Sequence, residues 1–164
     1  MQLPDIQLAC STLATALGSH LQQHKIEQPL IIGIRTGGVW IAERLHQQLQ
    51  PQEPLYSVDI SFYRDDFTRH GLHPEVKGSE LPDTIEDRHV VLVDDVIMSG
   101  RTVRAAINEL FDYGRPASIT LVALFDIGRR ELPIQPDVCA ARLTLDDGQL
   151  IKLSGPEPLA ISLL

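Results

Sequence analysis

The chain has 164 residues, which suits a single domain with a substantial core, and its 43% hydrophobic and 22% charged residues are typical of globular proteins. A net charge of -8 argues against a surface that binds nucleic acid over its whole extent, but leaves a local basic patch open. No apolar run approaches the roughly 18 residues of a membrane helix, and the amino terminus lacks the pattern of a secretory signal, so we expect a cytoplasmic protein without membrane contact.

The first part of the chain alternates between helical and strand-like patterns. Apolar residues spaced three or four apart from Ile6 to Leu21 predict a first helix. The apolar run Leu30 to Ile34 predicts a strand that is covered on both faces, and a turn with two glycines follows at Arg35 to Gly38. Ile41 to Leu49 marks a second helix, and a second strand is expected from Tyr56 to Phe62.

The next stretch, from Tyr63 to Asp87, is polar and is interrupted by glycines and prolines. A loop of this length is uncommon in a compact domain unless it has a function. Beyond it, Val90 to Val93 predicts a buried strand, Val103 to Leu110 the inward face of a helix, and Ile119 to Phe125 another strand. Short strands are also expected near Val138 and from Leu150 to Leu153.

This order of elements predicts an α/β fold, a single domain over residues 1–164 with a mostly parallel, twisted sheet flanked by helices. Ligands bind such sheets beyond the carboxyl ends of the strands. The two cysteines, Cys10 and Cys139, are far apart and match no metal-binding pattern, so we expect buried free thiols in a reducing compartment.

The segment that follows the Val90 to Val93 strand carries the most specific chemistry. It presents two adjacent carboxylates, Asp94 and Asp95, and then a short loop that leads into a helix. The glycine of that loop allows the backbone to approach an anion, and the free N–H groups and hydroxyls at the helix start make an anion site. The carboxylates would repel phosphate, so they are expected to bind sugar hydroxyls or a hydrated Mg²⁺ that bridges a diphosphate. The loop and helix start comprise Met98, Ser99, Gly100, Arg101 and Thr102.

This segment resembles the phosphoribosyl-diphosphate (PRPP) signature of the type I phosphoribosyltransferases. The resemblance implies that Asp94 and Asp95 face the ribose hydroxyls and hold Mg²⁺ through water, and that Met98 to Thr102 wrap the 5-phosphate. Arg101 could bind this phosphate or orient the loop. Purine-salvage members carry an aspartate at the position of Met98, and a thioether cannot exchange protons, so Met98 argues against purine salvage.

Further segments resemble the PyrR family, named for the bifunctional pyrimidine-operon regulator and uracil phosphoribosyltransferase. They are Asp59 to Asp66, Pro74 to Gly78, Gly114 to Ala117 and Arg130 to Ile134. The resemblance implies a mobile lid over about residues 63–82, which includes Arg64 and Asp65. It also implies a hood over about residues 126–164, in which Asp126 and Ile127 lie near the pyrimidine and backbone groups recognise it. The diphosphate loop would consist of Arg35, Thr36, Gly37 and Gly38.

Two positions depart from the family's pattern. Many relatives have an arginine where this chain has Gly37, and an arginine commonly follows the hood aspartate where this chain has Ile127. Both differences could weaken PRPP binding or turnover. Arg35, Arg129 and Arg130 are the nearby cations that could compensate.

The leading hypothesis is transfer of phosphoribose from PRPP to uracil, which gives uridine monophosphate (UMP) and diphosphate with Mg²⁺ as cofactor, together with regulation of pyrimidine-biosynthesis genes. The alternative is a regulator that senses uridine nucleotides and binds pyr mRNA with little or no catalysis. Salvage of another base, a purine or orotate, is a third hypothesis. A homodimer or larger homo-oligomer is expected from the resemblance.

Overall fold

The computed structural model describes residues 2–61 and 78–164. The helices of this part are α1 (Ile6–Gln23), α2 (Gly37–Leu49) and α3 (Arg101–Phe111). The strands are β1 (Leu30–Ile34), β2 (Tyr56–Val58), β3 (His89–Ile97), β4 (Ser118–Asp126), β5 (Val138–Arg142), β6 (Ile151–Ser154) and β7 (Ala160–Leu163). Of the described helices, none has the length and apolar character needed to span a membrane.

The five strands β1 to β5 form one sheet in the order β2-β1-β3-β4-β5, and every neighbouring pair is parallel. Helices α1 and α2 pack on one face of this sheet and α3 packs on the other. Strand β3 contributes to both layers, because Val91 and Val93 pack with α1 and α2, whereas Val90 and Leu92 pack with α3. Coverage of both faces explains the continuous apolar runs of β1 and β3. The predicted fold class is confirmed.

Two strands end several residues away from the predicted positions. Strand β2 stops at Val58 instead of Phe62, because the carboxylate of Asp59 accepts hydrogen bonds from the backbone N–H of Ser61 at 2.9 Å and from its hydroxyl at 2.5 Å. Strand β3 continues past Val93 to Ile97, since it still pairs with β4 there. The two acidic residues therefore lie within β3, not beyond it.

The predicted hood is divided between two sheets. Strand β5 belongs to the main sheet, where it pairs with β4. Strands β6 and β7 form a separate antiparallel sheet, which is extended by two backbone hydrogen bonds between Leu150 and Leu164 at 2.8 and 2.9 Å. Strand β7 was not predicted.

Most of the predicted lid, including Arg64 and Asp65, lies outside the described residues. The described end of this segment is attached to the carboxyl end of β2. Glu80 forms an antiparallel bridge with Ser57, and the backbone N–H of Gly78 donates to the carboxylate of Asp59 at 3.1 Å. Both cysteines are free thiols, but Cys139 is only half-buried, in contrast to the prediction.

Candidate active site

The candidate site lies at the carboxyl edge of the main sheet, where β3 extends beyond the end of β1. Strand β3 pairs with β1 only as far as Val93, and the acidic pair follows directly. Both carboxylates are tied to the backbone of β3, because Asp95 N–H donates to Asp94 at 2.9 Å and Val96 N–H donates to Asp95 at 2.8 Å. The side chain of Asp94 is buried and that of Asp95 is half-buried. The pair is therefore held rigidly beside the end of β1.

The predicted diphosphate loop spans the end of β1 and the first turn of α2. Arg35 and Thr36 form the turn, the peptide bond between them is cis, and Gly37 and Gly38 already belong to the helix. The guanidinium of Arg35 contacts the carboxylate of Glu80 at 3.3 Å. A side chain at Gly38 would overlap the backbone of β3, so the helix start is pressed against the strand that carries the acidic pair.

Two helix N-termini face this edge, and neither has a side-chain hydrogen bond at its N-cap. By contrast, α1 is capped by Asp5, which accepts from Leu8 N–H at 2.7 Å. Helix N-termini carry free N–H groups and a partial positive charge, which favour anions. The starts of α2 and α3 therefore have the chemical character of anion sites, and the start of α2 lies directly against the acidic pair.

The loop before α3 has the conformation that the sequence suggested. Gly100 is the N-cap of α3 and has φ 92°, a left-handed conformation that favours glycine. Ser99 turns its hydroxyl to the backbone N–H of Arg101 at 3.2 Å. The side chain of Arg101 pairs with Glu131 at 2.6 Å on the exposed surface, which supports a role in orienting the loop.

Two of the three arginines that could replace the missing cations, Arg129 and Arg130, have other roles. Arg130 forms a buried ion pair with Asp126 at 2.7 Å. Arg129 donates to the backbone carbonyls of three residues in a neighbouring turn, Leu145, Asp146 and Gln149, at 2.7 to 3.1 Å. Neither guanidinium is therefore available to a diphosphate in this conformation.

A cavity of about 270 Å³ adjoins the acidic pair. It brings together residues that were predicted to bind different parts of the ligands, Asp95, Met98 and Ile127. Asp126, which precedes Ile127, does not line the cavity and is almost fully buried. The remaining wall is Val96 and the stretch from Leu150 to Leu153. That stretch lies within the range predicted as the hood, but none of its residues was named as a site residue, because a weak strand pattern gives no indication of which ligand a residue would contact.

The chemistry of the site fits a metal ion that arrives with its substrate. In residues 2–61 and 78–164, no cluster of three or more His, Cys, Asp or Glu side chains could hold a metal. Asp94 and Asp95 offer two carboxylates, and Mg²⁺ prefers to be bound by one or two carboxylates together with water and substrate phosphates.

Comparison with known proteins agrees with this geometry. The phosphoribosyl transferase domain family matches residues 2–147. Similar solved structures include a hypoxanthine phosphoribosyltransferase from Staphylococcus aureus, with a TM-score of 0.67 at 16% identity over 92% of this chain and 81% of that chain. A purine phosphoribosyltransferase from Pyrococcus horikoshii has a TM-score of 0.64 at 23% identity over 84% and 85% of the two chains. At these identities the likeness concerns the fold alone. The chain belongs to the phosphoribosyl transferase domain family.

Within that family the relatives are more specific. The chain is 58% identical to the bifunctional protein PyrR of Pseudomonas syringae pv. syringae, over 99% of this chain and 96% of the relative. It is 56% identical to the bifunctional protein PyrR of Pseudomonas aeruginosa, over 98% and 95% of the two chains. The chain is a member of the PyrR family, as its motifs predicted.

Proposed function

We propose that the chain transfers the phosphoribosyl group of PRPP to uracil and releases UMP and diphosphate. One observation carries this proposal: two uncapped helix N-termini lie on either side of two adjacent carboxylates, and a cavity adjoins them. PRPP requires two separate phosphate sites with a ribose site between them, and this arrangement supports the assignment of all three. The cavity supports a fourth assignment, a site for the base beside the ribose.

Each part of the site has a role in this reaction. The start of α3, from Ser99 to Thr102, binds the 5-phosphate, and the start of α2 binds the diphosphate. Asp94 and Asp95 accept hydrogen bonds from the ribose hydroxyls. Uracil occupies the cavity between Met98 and Ile127. Met98 lacks a proton to exchange, which is acceptable for a base that requires no protonation at this position.

The chemical step breaks the bond between C1 of the ribose and the diphosphate oxygen, and the electron pair leaves with the diphosphate. A new bond forms from N1 of uracil to C1, and the proton of N1 passes to the departing diphosphate, whose oxygens have gained the electron pair of the broken bond. The N–H groups at the start of α2 stabilise the negative charge on the leaving group. Asp94 and Asp95 would hold a hydrated Mg²⁺ that comes with PRPP, and this ion would neutralise further charge on the leaving group.

A second activity is proposed from the relatives, which are named bifunctional. In this role the chain regulates pyrimidine-biosynthesis genes by binding pyr mRNA, with uridine nucleotides as effectors. Gly37 and Ile127, which replace arginines common in the family, favour a variant of this proposal in which catalysis is weak. We further propose that the protein acts in the cytoplasm as a homodimer or larger homo-oligomer.

The first experiment is steady-state formation of UMP from uracil and PRPP with Mg²⁺. It compares the wild type with the double variant Asp94→Asn, Asp95→Asn. A matched control is the double variant Asp146→Asn, Asp147→Asn. It makes the same change in net charge at two other consecutive aspartates, which are exposed. Turnover in the wild type and in the control, but not in the first variant, is expected.

No turnover by a folded wild-type protein that still binds UMP or PRPP would refute the catalytic proposal and favour the regulator. RNA binding is tested separately by titration with pyr leader RNA at increasing salt. An affinity that falls steeply with salt is expected, because phosphate contacts release counterions. No binding at low salt would refute the regulatory proposal.

A further inference from the structure

The side chain of Arg130 connects the end of β4 to the loop before α3. Its guanidinium pairs with the carboxylate of Asp126 at 2.7 Å, and both side chains are largely buried, with 12% and 3% exposure. The same guanidinium donates to the backbone carbonyl of Met98 at 2.8 Å and to that of Ile134 at 2.6 Å. A planar guanidinium can serve several acceptors at fixed angles, which an ammonium cannot do.

The hydrogen bond to Met98 determines the orientation of the peptide group that joins Met98 and Ser99. The carbonyl of Met98 and the N–H of Ser99 belong to one trans peptide group, so they point in opposite directions. Because Arg130 holds the carbonyl of Met98, the N–H of Ser99 is turned away from Arg130.

The following peptide group is fixed in the same way. The carbonyl of Ser99 accepts from the backbone N–H groups of Glu131 and Leu132 at 3.0 and 3.1 Å. The N–H of Gly100 therefore points away from these donors as well. Within the described residues, neither the Ser99 N–H nor the Gly100 N–H has a protein acceptor. In the two consecutive peptide groups Met98–Ser99 and Ser99–Gly100, the carbonyl oxygens thus accept hydrogen bonds from the protein, whereas the N–H groups remain available as donors.

We propose that Arg130 is a positioning residue for the phosphate site at the start of α3. It does not contact the ligand. Arg130 keeps the Met98 carbonyl out of the phosphate site, because the partial negative charge of that carbonyl would repel an anion. It thereby also keeps the Ser99 N–H directed into the phosphate site. This inference rests on the proposed function in one respect, namely that the start of α3 receives the 5-phosphate of the ribose.

The test compares Arg130→Lys with Arg129→Lys. The control arginine is adjacent and also binds backbone carbonyls, but those of the turn at Leu145 to Gln149. Calorimetry measures the affinity for ribose 5-phosphate, which carries the phosphate without the diphosphate or the base, and for Mg²⁺-diphosphate. We expect Arg130→Lys to weaken ribose 5-phosphate binding by about tenfold, the effect of one charge-assisted hydrogen bond, with diphosphate binding unchanged. Arg129→Lys is expected to leave both affinities unchanged.

A second variant, Asp126→Asn, keeps the shape of the Arg130 partner but removes its charge. It should weaken ribose 5-phosphate binding in the same direction by a smaller factor, about threefold. In turnover assays the KM for PRPP should rise in Arg130→Lys while the KM for uracil stays constant.

Unchanged ribose 5-phosphate affinity in folded Arg130→Lys would overturn the proposal. An equal loss in Arg129→Lys would also overturn it, because the effect would then reflect general destabilisation. These binding measurements are independent of turnover. A wild-type protein that binds ribose 5-phosphate but forms no UMP would therefore refute the proposed enzyme without affecting the role of Arg130.

Discussion

The carboxylate of Asp95 lies against the α-carbon of Gly37, so close that a methyl group at position 37 would overlap its Oδ2 atom. The space that a Cβ atom would need at position 37 is thus occupied by the carboxylate of Asp95. This contact gives a physical reason for the departure at Gly37. An arginine here would require Asp95, and with it the end of β3, to take a different position.

Substitution of this glycine should therefore impair the site. In Gly37→Ala the new Cβ displaces the Asp95 carboxylate, and we expect the kcat/KM for PRPP to fall by about tenfold or more, as for other displacements of positioned groups. Steady-state kinetics with PRPP as the varied substrate check this. An unchanged kcat/KM would mean that Asp95 does not act from the position described.

The matched control is Gly18→Ala, in the middle of α1. A Cβ at this position would meet only the Cδ2 atom of Leu49 within 4 Å, at the ordinary contact distance of 3.6 Å. Alanine is favoured over glycine in a helix interior by about 0.8–1 kcal/mol, so this variant should have a higher free energy of unfolding. Urea denaturation measures the change, and kinetics should match the wild type. A destabilised variant would contradict the packing described around α1.

Helix α1 differs from α2 and α3 in having a side-chain cap. Loss of this cap in Asp5→Ala should reduce the free energy of unfolding by about 1 kcal/mol, which is typical for an N-cap aspartate. Affinities for PRPP and UMP should not change, because α1 does not end at the site. A loss of ligand affinity at constant stability would be inconsistent with this separation.

The thiol of Cys139 should react slowly. Burial raises the pKa of this thiol, and the negative charge of Asp126 raises it further, against the opposing effect of Arg142 and Arg130. A higher pKa leaves less thiolate at pH 8, so alkylation by iodoacetamide should be slower than that of a free thiol in the unfolded chain. Asp126→Asn removes the second cause and should accelerate the reaction. Mass spectrometry of alkylated peptides at several pH values provides the measurement.

Removal of the divalent ion should stop the reaction without unfolding the protein. The described residues hold no metal cluster of their own, and the ion is proposed to arrive with PRPP. EDTA should therefore abolish UMP formation, added Mg²⁺ should restore it, and the thermal unfolding curve of the ligand-free protein should be unaffected. A shift of that curve by EDTA would indicate a resident metal ion.

The sequence predicted those elements whose patterns are determined locally. Strand β1 was predicted to the residue, because an apolar run covered on both faces ends abruptly at Arg35. The end of β3 was not predicted, since Asp94 and Asp95 resemble the end of a strand although pairing with β4 continues to Ile97. Such pairing depends on a strand more than twenty residues further along the chain, and no local pattern reports it.

The acidic pair and the loop before α3 were found because their residue types are unusual in combination. The role proposed for Arg130 was not, since the sequence shows only two adjacent arginines, and two of the groups that Arg130 contacts are backbone carbonyls that any residue could provide. The residues from Leu150 to Leu153 lie within the predicted hood but were not singled out, because apolar residues in a short strand give no information about their neighbours.

The parallel pairing of β1 with β3 also affects how the chain is made. Leu30 pairs with Val90, so β1 leaves the ribosome well before β3, the strand with which it pairs. At typical rates of synthesis of about 5–20 residues per second, this interval lasts on the order of 3 to 12 seconds. During that time the apolar edge of β1 can pair with other chains. Overproduction at low temperature or together with a chaperone should therefore increase the yield of folded protein more than any change at the site.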